Sequence, residues 1–258
     1  MQKRHTDRYR YFREEAATTE KYFIPYLSEF IDVGDISVLE VGCGEGGNLL
    51  PFARRGCRVV GVDLSEQRVR QAESFFSREC AAGTFICDDV MHYRGDGRLF
   101  DLIVCHDVVE HIPEKGKMLL ALKRLLAPGG RLFVAFPAWQ MPFGGHQQIA
   151  RSWVVSHLPF VHLLPELAFS FMLRLFGEDA SKINELIGIR RTRCTVEMFE
   201  REAAYAGYTV CDRRLWLVNP HYEVKFGLRP IRLCRQLSAL PYVRNFMASS
   251  CFYVVRPL

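Results

Sequence analysis

Several common sequence features are missing from this chain, and each absence narrows the classes of function that it fits. The 258 residues contain no apolar run of the roughly eighteen residues that a membrane-spanning helix needs. The net charge is only +5 and no long block of like charge occurs, which argues against nucleic acid as a partner. Residues 1–15 are polar and charged, unlike a cleavable secretion signal. These absences predict a cytoplasmic protein.

Paired cysteines are also missing. The nine cysteines are scattered, none forms a C-x-x-C pair, and Cys87 and Cys105 lie within apolar strand patterns. This distribution is typical of buried thiols in a reducing compartment, so we expect neither disulfides nor a bound metal. With 49% hydrophobic and 24% charged residues, the composition is that of an ordinary globular protein. The length allows one large α/β domain with an insertion, or two small domains.

The most informative stretch is glycine-rich and follows a short apolar run. It covers residues 37–48 and reads S-V-L-E-V-G-C-G-E-G-G-N. The apolar half predicts a buried β-strand, and the glycines predict a tight turn that leads into a helix. Strand, glycine turn and helix are typical of a nucleotide-type binding site. The spacing Gly42-x-Gly44-x-x-Gly47 also fits a dinucleotide site, so the motif alone leaves the cofactor open.

Short apolar strands alternate with amphipathic helices through most of the chain. Strands are predicted at 38–41, 57–63, 85–87, 100–105 and 131–136, with two later candidates at 208–217 and 250–255. This alternation predicts a Rossmann-like, doubly wound α/β fold.

The two remaining parts of the chain read as helical additions. Residues 1–33 are interpreted as an N-terminal helical cap, loosely ordered over 1–13 and helical over 14–31, with Tyr9, Tyr11 or Tyr22 as candidate ligand contacts. Residues 34–258 are interpreted as the main domain, with a helical lid inserted at about 138–193. The very apolar segment 160–176 within the lid is either an extra helical layer or a surface for peripheral contact with lipid or a partner.

Acidic residues follow the second and third predicted strands. Asp63 ends the second strand about twenty residues after the glycines, and Asp88 and Asp89 follow the third. Because neighbouring parallel strands finish along one crevice, we expect these carboxylates to lie close together. A carboxylate placed like Asp63 can accept both hydroxyls of a ribose, and either Asp88 or Asp89 can accept the exocyclic amine of an adenine.

Five motifs together resemble class I S-adenosylmethionine-dependent methyltransferases, in particular the small-molecule branch that includes the ubiquinone and menaquinone biosynthesis methyltransferases. The motifs are V-L-E-V-G-C-G-E-G, V-V-G-V-D-L-S, F-I-C-D-D-V, F-D-L-I-V-C-H-D-V-V-E-H-I and L-K-R-L-L-A-P-G-G-R-L-F-V-A-F-P. They cover residues 35–137 in the order and spacing of that family. The resemblance implies a seven-stranded, mostly parallel sheet whose last strand is antiparallel. It also implies S-adenosylmethionine as the cofactor and S-adenosylhomocysteine as its product.

The resemblance implies roles for individual residues as well. Glu40 and the glycine-turn backbone would hold the methionine end, Asp63 the ribose, and Leu64 would pack beside the adenine. Asp89 is preferred for the adenine amine, because an acid followed by an apolar residue matches the family. His106 would supply a backbone contact near the methyl group, although the family often has an aliphatic residue or asparagine there. The full set of implied cofactor-binding residues is Glu40, Gly42, Cys43, Gly44, Asp63, Leu64, Asp88, Asp89, Val90 and His106.

The predicted reaction is methyl transfer to a small-molecule, lipid or sugar acceptor by in-line displacement. His111 and His146 are the candidate bases for an acceptor proton, with His146 preferred because it opens the variable insertion. Two alternatives stay open: an NAD(P)-dependent oxidoreductase that would use the same glycines and Asp63, and a non-catalytic module that only binds the cofactor. The sequence predicts neither the acceptor nor the oligomeric state.

Overall fold

The computed structural model describes residues 7–258, and these residues form one eight-stranded sheet with helices on both faces. The strands are β1 (Ser37–Val41), β2 (Arg58–Asp63), β3 (Thr84–Cys87), β4 (Phe100–His106), β5 (Leu126–Phe136), β6 (Tyr208–Val218), β7 (Ile231–Arg232) and β8 (Ser250–Pro257). The helices are α1 (Arg8–Thr18), α2 (Ile24–Leu27), α3 (Leu50–Ala53), α4 (Glu66–Arg78), α5 (Lys115–Leu125), α6 (Trp153–His157), α7 (Glu166–Leu175), α8 (Ala180–Thr192), α9 (Val196–Tyr205), α10 (His221–Phe226) and α11 (Arg235–Ser238).

The sheet has the order β3-β2-β1-β4-β5-β8-β6-β7. Strands β1 to β5 pair in parallel, and β8 runs antiparallel between β5 and β6. The predicted Rossmann-like fold with an antiparallel last strand is therefore confirmed, with eight strands in place of seven. The additional strand, β7, is only two residues long and pairs with β6 at the sheet edge. A strand this short has no periodicity that a sequence pattern could reveal.

Alternate side chains of the central strands pack into two hydrophobic layers, one on each face of the sheet. In β4, Ile103 and Cys105 join the layer that also contains α5 and α9, and Leu102 and Val104 join the layer beneath α1 and α4. This period of two follows from the strand geometry. Because both faces are covered, the strands are apolar on both sides, which explains their continuous hydrophobic runs.

The N-terminal helix begins earlier than the sequence indicates. Helix α1 starts at Arg8, where the Asp7 side chain accepts a hydrogen bond from the Arg10 N–H (2.9 Å). Phe12 is fully buried against α4 aromatics, so the expected loose order over 1–13 is wrong for residues 8–13, while residues 1–6 lie outside the described range. The single helix predicted over 14–31 is instead interrupted by a π-helical turn at Thr19–Phe23 and ends at Leu27.

A separate helical layer follows β5. Residues 138–193 are all described, contain no strand and hold α6, α7 and α8, which confirms the predicted helical insertion. These three helices share a small core of their own, formed by Val155, Val161, Phe169, Leu173, Ile183, Leu186 and Ile187. The proposed boundaries of cap, main domain and lid stay a prediction. Within the described residues, none of the helices has the length and apolar character needed to cross a membrane.

Candidate functional site

The glycine turn after β1 is tied to the end of β2. The Cys43 N–H donates to the Val62 carbonyl (3.1 Å), and the Gly44 N–H donates to Oδ2 of Asp63 (2.9 Å). The other oxygen of Asp63 accepts from the N–H of Ser65 (2.8 Å), the residue that caps α4. Asp63 is buried, so one carboxylate holds the turn against the start of the next helix. The structure thus places Asp63 directly beside the turn, as the sequence predicts.

The glycines of this turn have different roles. A Cβ on Gly42 would lie 2.3 Å from Cγ2 of Val108, and one on Gly47 would lie 2.6 Å from Oε2 of Glu15 in helix α1. At Gly44 the same position is open, with a single side-chain atom 3.9 Å away. Gly42 and Gly47 therefore allow close packing of protein segments. Gly44, at φ +52, is the glycine that leaves room for a ligand to approach the backbone.

Glu40, in strand β1, is a buried carboxylate with one satisfied oxygen. Oε1 accepts a hydrogen bond from Nδ2 of Asn48 (2.7 Å), while Oε2 has no hydrogen-bond partner in the described part of the chain. Burial raises the pKa of Glu40 to about 8, against the opposing effect of the Asn48 hydrogen bond, and the Asp63 carboxylate raises it further. An unpaired buried carboxylate is costly unless a cation or a donor approaches it. Glu40 is therefore suited to a positively charged ligand group.

The two acids after β3 lie beside Asp63. The Asp88 N–H donates to the Asp63 carbonyl (3.1 Å), because β2 and β3 pair up to Cys87. Oδ1 of Asp88 accepts from the Asp89 N–H (2.7 Å), and Oδ1 of Asp89 accepts from the Met91 N–H (2.9 Å). The Asp89 side chain remains 41% exposed, and its second oxygen lies 3.5 Å from Nδ1 of the exposed His92. Of the two apolar neighbours assigned to the site, Leu64 is exposed and Val90 is buried.

His106 is the last residue of β4 rather than a residue beyond it. Its Nδ1 lies 3.3 Å from Nδ2 of Asn48, the residue that also binds Glu40, and its ring packs edge-on against Phe23. The imidazole is therefore part of a buried polar contact that orders the ends of β1 and β4. The predicted backbone role of His106 near a methyl group stays a prediction.

Asp107 is a site residue that the sequence reasoning missed. It has a φ of 54° in the left-handed region, and its half-exposed carboxylate lies 3.5 Å from Nε2 of His106. The pKa of Tyr11 is raised first by Glu15 and by burial, then by Asp107, and that of Tyr222 is raised by burial and then by Asp107. Asp107 thus lies among side chains from α1, β4 and α10. A non-glycine residue in the left-handed region is uncommon, although aspartate adopts it more readily than most residues. The acid is visible in H-D-V-V-E-H, but its backbone conformation is not.

The two candidate bases lie next to each other. The rings of His111 and His146 meet edge-on with centroids 5.0 Å apart, and Glu110 places a third ligand atom within 4.8 Å of both. Burial lowers the pKa of both histidines, in the case of His146 to about 4, with Asp107 opposing the shift. Burial raises the pKa of Glu110, whose oxygens have no hydrogen-bond partner among the residues described. Both imidazoles are therefore neutral near pH 7. The expectation that no metal binds stays a prediction.

The chain matches known proteins over the segment that carries Glu40, Asp63 and Asp89. Residues 38–130 match the family model described as a methyltransferase domain. A ubiquinone biosynthesis O-methyltransferase from Coxiella burnetii is 32% identical over 110 residues, covering 43% of this chain and 47% of the relative. One from Xanthomonas oryzae is 30% identical over 113 residues, with the same coverage. This chain therefore spans about half the length of the curated relatives it matches.

Solved structures extend the likeness to almost the whole chain. A magnesium protoporphyrin IX methyltransferase from Synechocystis with bound S-adenosylhomocysteine has a TM-score of 0.56 at 16% identity, covering 95% of this chain and 84% of that one. An S-adenosylmethionine-dependent methyltransferase from Clostridium acetobutylicum has a TM-score of 0.59 at 12% identity, covering 93% and 91%. At these identities the structures establish the fold. Together with the family match, they confirm the resemblance to class I methyltransferases.

Proposed function

We propose that this chain, which carries a methyltransferase domain over residues 38–130, transfers the methyl group of S-adenosylmethionine to a small-molecule acceptor by in-line displacement. The observation that supports this proposal is the meeting of Glu40, the Gly44–Asp63 hydrogen bond and Asp89 at the ends of three neighbouring parallel strands. Ligands of open α/β sheets bind at this edge. Whether the acceptor is a lipid, a sugar or another small molecule stays open.

The side chains at this edge fit the cofactor group by group. Oε2 of Glu40 lacks a partner and suits the ammonium of the methionine end, while the open side of Gly44 leaves room for its carboxylate. We assign Asp63, which adjoins the glycine turn, to the ribose hydroxyls, and Asp89, whose side chain is 41% exposed, to the adenine amine. S-adenosylmethionine, when bound, supplies a methyl group on a cationic sulfonium. The protein contributes binding, alignment and exclusion of water.

We assign proton removal from the acceptor to the His111–His146 pair. A neutral imidazole accepts a proton, and both rings are neutral near pH 7 because burial lowers the pKa of each. The Asp107 carboxylate raises both values in opposition, so it stabilises an imidazolium once the proton has moved.

The charges of the site disfavour a dinucleotide cofactor. In dinucleotide-binding folds the anionic pyrophosphate lies over the glycine turn at the start of the following helix. In this chain that side of Gly47 is filled by α1, with the Glu15 carboxylate 2.6 Å from where a Cβ would be. A pyrophosphate at that position would overlap α1 and lie beside the Glu15 carboxyl group, which disfavours a dinucleotide.

Calorimetry on single aspartate variants tests the cofactor assignment. We expect Asp63→Asn to weaken S-adenosylhomocysteine binding about 10- to 100-fold, because a hydrogen bond to a charged group contributes about 1.5–3 kcal/mol. Asp101→Asn is the matched control, since Asp101 also accepts a backbone N–H, from Ser37 (2.8 Å), at the opposite end of the sheet. Unchanged affinity in the Asp63 variant, or tighter binding of NAD than of S-adenosylhomocysteine, contradicts the assignment.

A turnover assay separates an enzyme from a module that only binds. The protein is incubated with S-adenosylmethionine labelled in its methyl group and a panel of phenols, amines, lipids and sugars. Transfer of label to one class supports catalysis and names the acceptor. Intact cofactor binding without transfer to any class supports the non-catalytic alternative.

A further inference from the structure

The outer face of helix α7 is apolar and exposed. Leu167, Phe171 and Leu175 recur every four residues, and their exposed fractions are 86%, 67% and 70%. The opposite face carries Phe169 and Leu173, which are fully buried in the small core of the lid. Because the inner face already forms this core, the outer stripe is not needed to hold the lid together. We therefore expect the stripe to contact another molecule.

The apolar surface extends beyond α7. Of the 23 large apolar side chains that are exposed in the described part of the chain, nine lie within residues 153–176. Trp153, on helix α6, is 73% exposed and stacks only on the neighbouring His157 among aromatic rings described. Single exposed apolar residues are ordinary, but a concentration of this kind marks an interaction surface. We call residues 153–176 the lid surface.

The charges around the lid surface are unbalanced in favour of cations. The exposed acids of the lid are neutralised in the ion pairs Glu166–Arg191 (2.9 Å), Asp179–Arg151 (2.9 Å) and Glu185–Lys182 (2.6 Å). Glu178 is buried and accepts a backbone hydrogen bond. Arg174 and Arg193 are exposed and take part in no ion pair within residues 7–258. The partner that complements this surface is therefore apolar and anionic.

The position of Arg174 distinguishes two candidate partners, a second copy of this chain and a lipid bilayer. At 100° per residue, Arg174 lies within the exposed stripe, one helical turn beyond Phe171 and two beyond Leu167. If a second copy packed stripe against stripe, each Arg174 guanidinium would be buried without an acid to pair with, because the stripe of Leu167, Phe171, Arg174 and Leu175 holds none. At a bilayer surface the apolar side chains enter the acyl region while Arg174 extends to a lipid phosphate.

We propose that the lid surface docks on an anionic lipid bilayer, with α7 lying in the plane of the interface. Docking also bears on the site, because His162 of the lid packs against Gly145, the residue before His146. The His162 Nε2 is bonded to the Trp139 carbonyl (2.8 Å), which fixes the lid to the end of β5. The loop that carries His146 is therefore anchored to the docked layer.

Vesicle co-sedimentation tests the proposal with the full chain. We expect binding to vesicles that contain phosphatidylglycerol and weaker binding to phosphatidylcholine alone. The variant Leu167→Ser/Phe171→Ser loses at least about tenfold in partitioning, because burial of each such side chain is worth that factor. Arg174→Gln loses about fivefold, and only on anionic vesicles. Tyr205→Ser is the control, since Tyr205 on α9 is 90% exposed and lies outside the lid.

A fluorescence variant reports on α7 itself. Trp139 and Trp216 are buried, so Trp153→Phe/Phe171→Trp places the one exposed tryptophan of the described chain on the stripe. Its emission shifts to the blue on anionic vesicles if α7 enters the interface. Absence of vesicle binding, equal binding by the double serine variant, or no emission shift overturns the proposal. A lipid-free dimer that the double serine variant dissociates, with no vesicle binding, assigns the surface to a second copy instead.

Discussion

Replacing Glu40 with glutamine should make the ligand-free protein more stable and the cofactor complex weaker. Glu40 is 1% exposed, and burial raises its pKa from 4.5 to about 8. Glutamine has the same shape, can still accept the hydrogen bond from Asn48 through its amide oxygen, and does not titrate. The substitution therefore removes the cost of the buried carboxyl group without opening a cavity.

The size of the effect follows from proton linkage. An acid whose pKa is raised by folding contributes full stability below the unfolded value, and that stability is lost as the pH rises toward the folded value. Between the ordinary pKa of 4.5 and pH 7 the wild type loses about 1.4 kcal/mol per pH unit, which amounts to about 3 kcal/mol. Glu40→Gln avoids this loss, so we expect a melting temperature about 6–12 °C higher at pH 7.

Urea and thermal unfolding between pH 5 and pH 9 measure the gain, which should grow with pH up to about pH 8. Calorimetry of the same variant should show S-adenosylhomocysteine binding weakened about 10- to 100-fold, because the ligand ammonium loses its charged partner. Glu66→Gln is the control, since Glu66 is exposed on α4 and pairs with Arg70 (2.6 Å). A Glu40→Gln protein no more stable than wild type at pH 8 would refute the burial argument, and unchanged affinity would refute the ligand assignment.

Three further predictions test the loop, the strained residue and the bases. Gly47→Ala should lower the free energy of unfolding by about 1–3 kcal/mol, measured in urea, because its Cβ overlaps α1, whereas Gly188→Ala, whose Cβ position on α8 is open, should be neutral or slightly stabilising. Asp107→Asn should slow methyl transfer at least about tenfold with little change in cofactor affinity, and Asp107→Gly should add about 1 kcal/mol of stability by relieving the left-handed strain. If His146 is the base, the transfer rate should be independent of pH between 6.5 and 8, since burial lowers its pKa to about 4 and it is already neutral there. An acid limb centred above pH 6.5 that His146→Asn removes would contradict this.

The secondary structure was predictable where the hydrophobic pattern of a segment matches the burial that its packing gives it. Apolar runs such as Val38–Val41 and Phe100–Cys105 appear as strands because both faces of a parallel sheet are covered. The start of α1 was not predictable, because Phe12 is buried by aromatic side chains more than sixty residues away in the sequence. The two-residue strand β7 depends in the same way on a partner strand rather than on its own residues.

Site residues could be predicted where an acidic residue stands at the end of a predicted strand. Asp63 and Asp89 were predicted as site residues because acids end or follow apolar runs, and the parallel sheet places the Asp88–Asp89 pair beside Asp63. Asp107 also follows a predicted strand, but the sequence shows neither its left-handed backbone angle nor its neighbours from α1 and α10. Glu15 is likewise absent from any motif. Its contact with Gly47 arises only when the cap folds over the glycine turn.

The acids near the glycine turn support the prediction that the N-terminal cap belongs to the site. Glu15 is buried, and its pKa is raised first by burial and then by the charges of Glu40 and Glu45. Folding α1 over the turn therefore adds a buried acid to this group, and Arg8 of the same helix offsets part of the charge by pairing with Glu45 (3.3 Å). Ligand-free, this arrangement costs stability; a bound cation near Glu40 and Asp107 offsets the repulsion. The cap should therefore close more firmly on a cationic ligand than on a neutral or anionic one of the same shape. This electrostatic preference favours a sulfonium nucleoside over a dinucleotide with the same adenosine, independently of any sequence motif.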